Sequence, residues 1–142
     1  MTKTFNKVAA CLLALTANAA LGAEDTRQLV ELPPMMQEHM LSNMRDHLTS
    51  LHEILLHLEK GELDQAAEVA ETRLGMSSLK LHGASHLAKF MPKGMQQAGT
   101  SMHQAASRFA LKAQEGEPLA AYRMLTEITS ACTGCHNAYR IR

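Results

Sequence analysis

Tryptophan is absent from this 142-residue chain, and aromatic residues make up only 4% of it, two Tyr and three Phe. A core built on large rings is therefore excluded. Cysteine is scarce as well, three residues in all, too few for a disulfide-stapled scaffold. Neither sign of charge dominates, since 14 Lys and Arg stand against 14 Asp and Glu. Such a balance argues against a surface built for nucleic acid or another polyanion. No segment sustains the period-two alternation of a strand, so no strand is predicted. No Ser/His/Asp or paired-carboxylate arrangement can be placed, which leaves hydrolytic chemistry without a candidate. What the chain does have is 46% hydrophobic residues, ten Met and eight His. It reads as one compact domain in which soft sulfur and imidazole are plentiful.

The first residues read as an address. Lys3 and Lys7 make a basic start, Val8 to Leu21 is mostly apolar, and Ala20-Leu21-Gly22-Ala23 supplies small residues for cleavage. Residues 1–23 are thus predicted to be a secretory signal peptide, cut near Gly22 or Ala23. Val8-Ala9-Ala10-Cys11 resembles a lipoprotein box but stands too early, with almost no apolar stretch before it. The apolar run is short for a membrane span and no second one follows, so no stable membrane insertion is expected after cleavage. Cleavage would remove Lys3, Lys7 and Cys11, leaving a slight negative charge and two cysteines, both in one short motif. Export, here to a periplasm, also places those thiols in an oxidising compartment.

Residues 24–33 are predicted to be an exposed lead-in ending in Pro33-Pro34. Pro34 suits a first helical position, where the missing N–H would be unpaired anyway. Leu41, Met44, Leu48, Leu51, Leu55 and Leu58 then recur at steps of three and four, one apolar stripe that Gly61 ends. A weaker stripe runs Leu63, Ala66, Ala70, Leu74 toward Ser77 and Leu81, after which His82 to Met91 reads as a bend or short connection. A third runs Met95, Ala98, Met102, Ala105, Phe109, Ala113, stopped by Gly116. The fourth opens at Pro118 and runs Ala121, Leu125, Ile128, Cys132, Cys135, Tyr139. The expected architecture over 34–142 is all-α, an antiparallel up-down-up-down four-helix bundle. Its small Ala residues and few rings leave the centre underfilled.

Cys132-Thr133-Gly134-Cys135-His136 is the most specific signal in the chain. A C-x-x-C-H run reads as covalent haem attachment. Two thiols at this spacing can add across the two vinyl groups on one porphyrin edge, and the adjoining His136 can then ligate the iron from the proximal side. A thioredoxin-like dithiol would instead follow a strand at a helix N-terminus. A zinc site would need a second Cys or His pair at ligand spacing, and a plain disulfide leaves His136 unexplained.

A four-helix chain with this motif near its C-terminal end, followed by Tyr139 and Arg140, resembles a class II c-type cytochrome, the cytochrome c-prime family and its low-spin relatives. The resemblance covers 34–142 in architecture, and in residues it rests on Cys132 to Arg140 and the start of the first helix. It implies one covalent haem c held by Cys132 and Cys135, His136 on the iron, and Arg140 close to the haem. The competing role for Arg140 is a solvated cation at a helix C-terminus. The family's haem-facing series falls on Gln37, Leu41, Met44 and Leu48, which puts Leu41 over the iron and would leave the distal position vacant. Low-spin relatives carry methionine there, and Met40 and Met44 are the candidate distal ligands, beside Met36 and His39. Each of these methionines also suits a core filler's role, because the thioether adapts to irregular gaps.

His82 and His86, four apart, with Met76, Met91 and Met95 nearby, are a candidate copper site, since imidazole and thioether suit that metal. His47, His52, His57 and His103 are expected at helix flanks, exposed or at a rim. The functional expectation is an exported monohaem cytochrome that carries one electron between periplasmic or membrane-bound redox proteins and is not an enzyme. A homodimer is compatible with it, as in the family it resembles. The alternatives are a five-coordinate haem protein that binds CO or NO, and a periplasmic copper-binding module.

Overall fold

The computed structural model describes residues 24–142; the predicted signal segment 1–23, Cys11 included, lies outside them. The described chain is mostly helical. Helix α1 spans Pro34–Glu59, α2 Leu63–Val69, α3 Ala84–Leu87, α4 Lys93–Gln114 and α5 Pro118–Ala138. Pro34 and Pro118 occupy the first turns of α1 and α5 as predicted. Gly61 and Gly116 close α1 and α4 at positive φ. Helix α2 continues as one π turn, Ala70–Leu74, and stops there. The second stripe thus ends earlier than its spacing predicts, and Leu81 is exposed.

Helices α4 and α5 pack along each other, while α2 and its π turn bridge α1 and α4. The main core joins Ile54 and Leu58 of α1, Ala66, Ala67 and Ala70 of the second helical segment, Phe109 of α4, and Leu125 and Ile128 of α5. Phe109 is fully enclosed, burial that contributes about 1.5–3 kcal/mol. Alanines at the crossings allow close axes and leave the large side chains to fill the seams. The third and fourth stripes are buried much as their periodicity requires, from Met95 to Ala113 and from Ala121 to Ile128.

The first stripe is corrected. Helix α1 buries Met40, Asn43, Ser50, Ile54 and Leu58, whereas Leu48 is 70% exposed and Leu55 44%. Asn43 and Ser50 are tolerated inside because each is bonded. The Asn43 amide donates to the His82 carbonyl at 2.8 Å, and the Ser50 hydroxyl to the Asp46 carbonyl at 2.8 Å. Satisfied polar groups cost little to bury, so the helix turns the face that suits its neighbours rather than its most apolar one.

Two further expectations change at the ends of the chain. A minimal parallel pairing exists where no strand is predicted: β1, Gln28–Leu29, lies on β2, Tyr139–Arg140. Two residues per strand are too few to show alternation. The lead-in is exposed through Leu29, but Val30 is buried and its N–H donates to the Arg140 carbonyl at 2.8 Å. The pairing straps residues 27–30 against the end of α5.

Tyr139 lies so close to α4 that a Cβ on Gly94 would overlap its hydroxyl oxygen. Gly94→Ala is therefore expected to push the Tyr139 ring outward. The overpacking cost of about 1–3 kcal/mol outweighs the ~1 kcal/mol that Ala gains over Gly in a helix. A lowered Tm in Gly94→Ala, recovered in Gly94→Ala/Tyr139→Phe, is the expected result. Equal Tm in wild type and single variant would show that the ring yields freely.

Candidate functional site

Cys132 and Cys135 lie three apart on α5, so both project from nearly one helical face. That face fronts a cavity of about 450 Å³. Its walls come from α1, α4, α5, the connection before α4 and the two ends of the described chain. Helix α1 contributes Met40, Leu41, Met44 and His47; α4 contributes Met95, Met102 and His103; α5 contributes Cys132, Cys135 and His136. The connection supplies His82, Leu87 and Met91, and the chain end supplies Tyr139 and Arg140. Met40, Leu87 and Met95 are buried beside Val30 in a second apolar cluster, with Met44, Cys135 and Tyr139 packed against it. The lining is thus mostly aliphatic and thioether.

The predicted haem-motif residues are therefore brought together. Both cysteines are free and half-buried, and burial pushes both thiols up, Cys135 further through its neighbour Cys132. They are neutral thiols, not thiolates. His136 is exposed at the cavity's edge. Met40, Met44 and Leu41 line the cavity from α1, with Met40 the most enclosed. Gln37 turns elsewhere and donates through its amide to the Ile141 carbonyl. Leu48, in the series the family resemblance implies, is exposed and does not line the cavity.

Arg140 lines the cavity, with its Nε buried, without a hydrogen-bond partner and 3.5 Å from an Asp25 carboxylate oxygen. Sequence reasoning missed Arg27, which also lines it. Its guanidinium bonds Asp25 at 2.9 and 2.7 Å and reaches the His136 carbonyl at 3.4 Å. Those bonds hold the Asp25 carboxyl down at about 2. No local pattern marks Arg27, because the β1–β2 pairing that delivers it joins opposite ends of the described chain.

The histidines depart furthest from expectation. His82 is not paired with His86, which is exposed. Instead His82, 4% exposed, sits with His47 and His103, the ring centroids 4.6, 5.7 and 5.9 Å apart. His103, expected at a flank, is buried, and His47 is half-buried. Of the four histidines expected at helix flanks, His52 alone is exposed and His57 is at a rim, the latter 2.7 Å from Glu62. Gly83 makes the turn that aims His82 inward; its φ of +59° is one that L side chains rarely adopt.

Within the cluster the proton positions are constrained. The Nδ1–H of His103 donates to the Leu74 carbonyl at 2.7 Å, at the end of the π turn. The Ser78 hydroxyl donates to the Gly75 carbonyl at 2.7 Å. His82 Nδ1 lies 3.3 Å from both His47 Nε2 and Ser78 Oγ. Its Nε2 is buried without a hydrogen-bond partner, 3.6 Å from Asp46 Oδ2. Burial lowers all three imidazoles, and mutual proximity adds to this for His47, pushed down to about 4, and for His82. Arg73, bonded to Asp46, keeps that carboxyl below its ordinary range.

Among the described residues, no group of three or more His, Cys, Asp or Glu side chains is arranged to hold a metal ion, and no helix is long and apolar enough to cross a membrane. Met76 is exposed, away from the cavity that Met91 and Met95 line. Comparison of the chain with models of protein families, with curated proteins and with solved structures finds no match.

Proposed function

We propose that the chain is an exported, periplasmic monohaem c-type cytochrome of the class II kind, with α1, α2, α4 and α5 as its antiparallel four-helix bundle, and that it carries one electron between redox partners. The observation that carries this reading is that Cys132, Cys135 and His136 of α5 line one cavity together with Met40, Leu41 and Met44 of α1. The residues present fit the group. A cavity of about 450 Å³ lies within the 300–1,000 Å³ range of cofactor sites. Its lining is mostly apolar, as a porphyrin requires, and burial keeps its two thiols neutral.

Haem bound there supplies a one-electron iron couple whose potential depends on its axial ligands and surroundings. Cys132 and Cys135 would hold the vinyl edge as thioethers, and His136 would ligate the iron. Leu87, Met91, Met95 and Met102 keep water from the interior wall. Arg27 and Arg140, at the margin beside His136, carry the positive charge that suits carboxylate groups.

The test is the visible spectrum of the exported protein, joined to a haem stain after denaturing electrophoresis. A stained band with a c-type spectrum is expected. His136→Ala should keep the stain while shifting the Soret band. An unchanged spectrum rejects His136 as a ligand, and an unstained wild-type band rejects the whole reading.

A gas-binding role is the second reading, favoured by one observation: Leu41, which cannot ligate, shares the wall with the two methionines. Carbon monoxide added to reduced protein separates the two. A large, fast Soret shift supports a vacant position under Leu41, and no response supports ligation by a methionine, Met40 or Met44, or by a histidine.

A further inference from the structure

The His47–His82–His103 cluster lies outside the Cys132–His136 motif, yet it lines the same cavity. Three imidazoles enclosed together are a costly way to fill space, because a buried nitrogen without a partner destabilises a fold. His82 Nε2 is such a nitrogen. It faces a carboxylate oxygen of Asp46 at 3.6 Å, so a proton placed there would turn an unpartnered lone pair into a donor aimed at an anion. Asp46 is itself a third exposed, which gives that proton a short way to water.

We propose that His82 is a proton site coupled to the charge of the cavity's cofactor, taking up one proton as one electron enters. The inference rests on the haem reading above. In balance, one electron from a one-electron donor protein converts ferric iron to ferrous as one proton from solvent binds His82 Nε2, and the net charge of the cavity stays constant. Oxidation returns both.

The groups around His82 make its charge finely poised. From α1 it faces Asp46, which favours the proton, and His47; from α4 it faces His103, which disfavours it. Arg73, next to α2 and bonded to both Asp46 and Glu53, opposes it from further out. His39 packs against the neighbouring Gly83, and Ser78 and Asn43 bond the ring and backbone without charge. Burial is the first force against protonation, so the exchange falls below the ordinary histidine value of about 6.5.

The experiment is a potentiometric titration of the haem-loaded full chain between about pH 4.5 and 8. The wild-type potential is expected to be flat above neutrality and to rise as pH falls. A tenfold higher proton affinity in the reduced state corresponds to about 59 mV of rise. His82→Gln should abolish the rise, and Asp46→Asn should move it to lower pH. A flat wild-type profile, or the same rise in His82→Gln, overturns the proposal. Should His82→Gln alter the optical spectrum, Asp46→Asn decides: a window moved to lower pH supports the proposal, and an unmoved one overturns it. Coloured protein with a flat profile defeats this inference alone, whereas colourless protein defeats the haem reading beneath it.

Discussion

Replacing both Cys132 and Cys135 with serine is expected to abolish the covalent haem stain completely. The two thiols are the described chain's only cysteines, and they stand one helical turn apart on α5, so no other side chain replaces their bonds. Each single serine variant keeps one thioether and should retain a weaker band. The double variant should also lose stability. Without a bound group the mostly apolar wall of the cavity would face water instead of packed atoms. Serine is nearly isosteric with cysteine, so the lower Tm would report the lost occupant rather than a disturbed α5. Equal staining of double variant and wild type would end the argument for thioether attachment.

The second large effect is acid lability above the range in which carboxylates protonate. His47 is held down to about 4 by burial first and by His82 and His103 next, against an ordinary value of 6.5. Between those values the unfolded chain binds a proton that the folded chain refuses. Stability is therefore fully present above pH ~6.5 and falls as pH drops through that window, by about 1.4 kcal/mol per unit for one such group. By pH 5 the loss from His47 is about 2 kcal/mol, and His82 and His103, lowered for the same reason, add to it. The Asp46 carboxyl, held low by Arg73, contributes only in more acid solution. Urea unfolding at about pH 7.5, 6 and 5 measures the slope. His47→Gln should flatten it in part, and identical midpoints across the series in wild type would show that the cluster is not held neutral.

These two expectations come from different depths of the same chain. Cys132, Cys135 and His136 are adjacent in sequence, and the fourth stripe places both thiols on the apolar side of a helix before any fold is known. The histidine cluster has no such signature. Its members come from α1, from the connection after the π turn and from α4, at positions 47, 82 and 103, and the i,i+4 spacing of His82 and His86 points toward a pairing that the turn at Gly83 undoes. A residue between helices has no face of its own until the neighbouring elements assign one.

The same contrast runs through the fold. Helices α4 and α5 present one dominant apolar side each, so period alone locates Met95 to Ala113 and Ala121 to Ile128 inside. Helix α1 has leucines on two adjoining rows, and either could be buried. The choice went to the row holding Met40, Ile54 and Leu58 because Asn43 and Ser50, on that row, find bonding partners, while Leu48 remains outside. Arg27 reaches the cavity only through the pairing of β1 with β2.

The amino-acid order thus determined the helical class, the helix starts at Pro34 and Pro118, the stops at Gly61 and Gly116, and the placing of Cys132 and Cys135 on an amphipathic face, all consequences of spacing within a few residues. Tertiary structure alone decided which side of α1 faces inward, which histidines meet and which arginines stand at the cavity's margin. Those outcomes depend on contacts between segments far apart in the chain, where burial and hydrogen bonding are settled jointly rather than residue by residue.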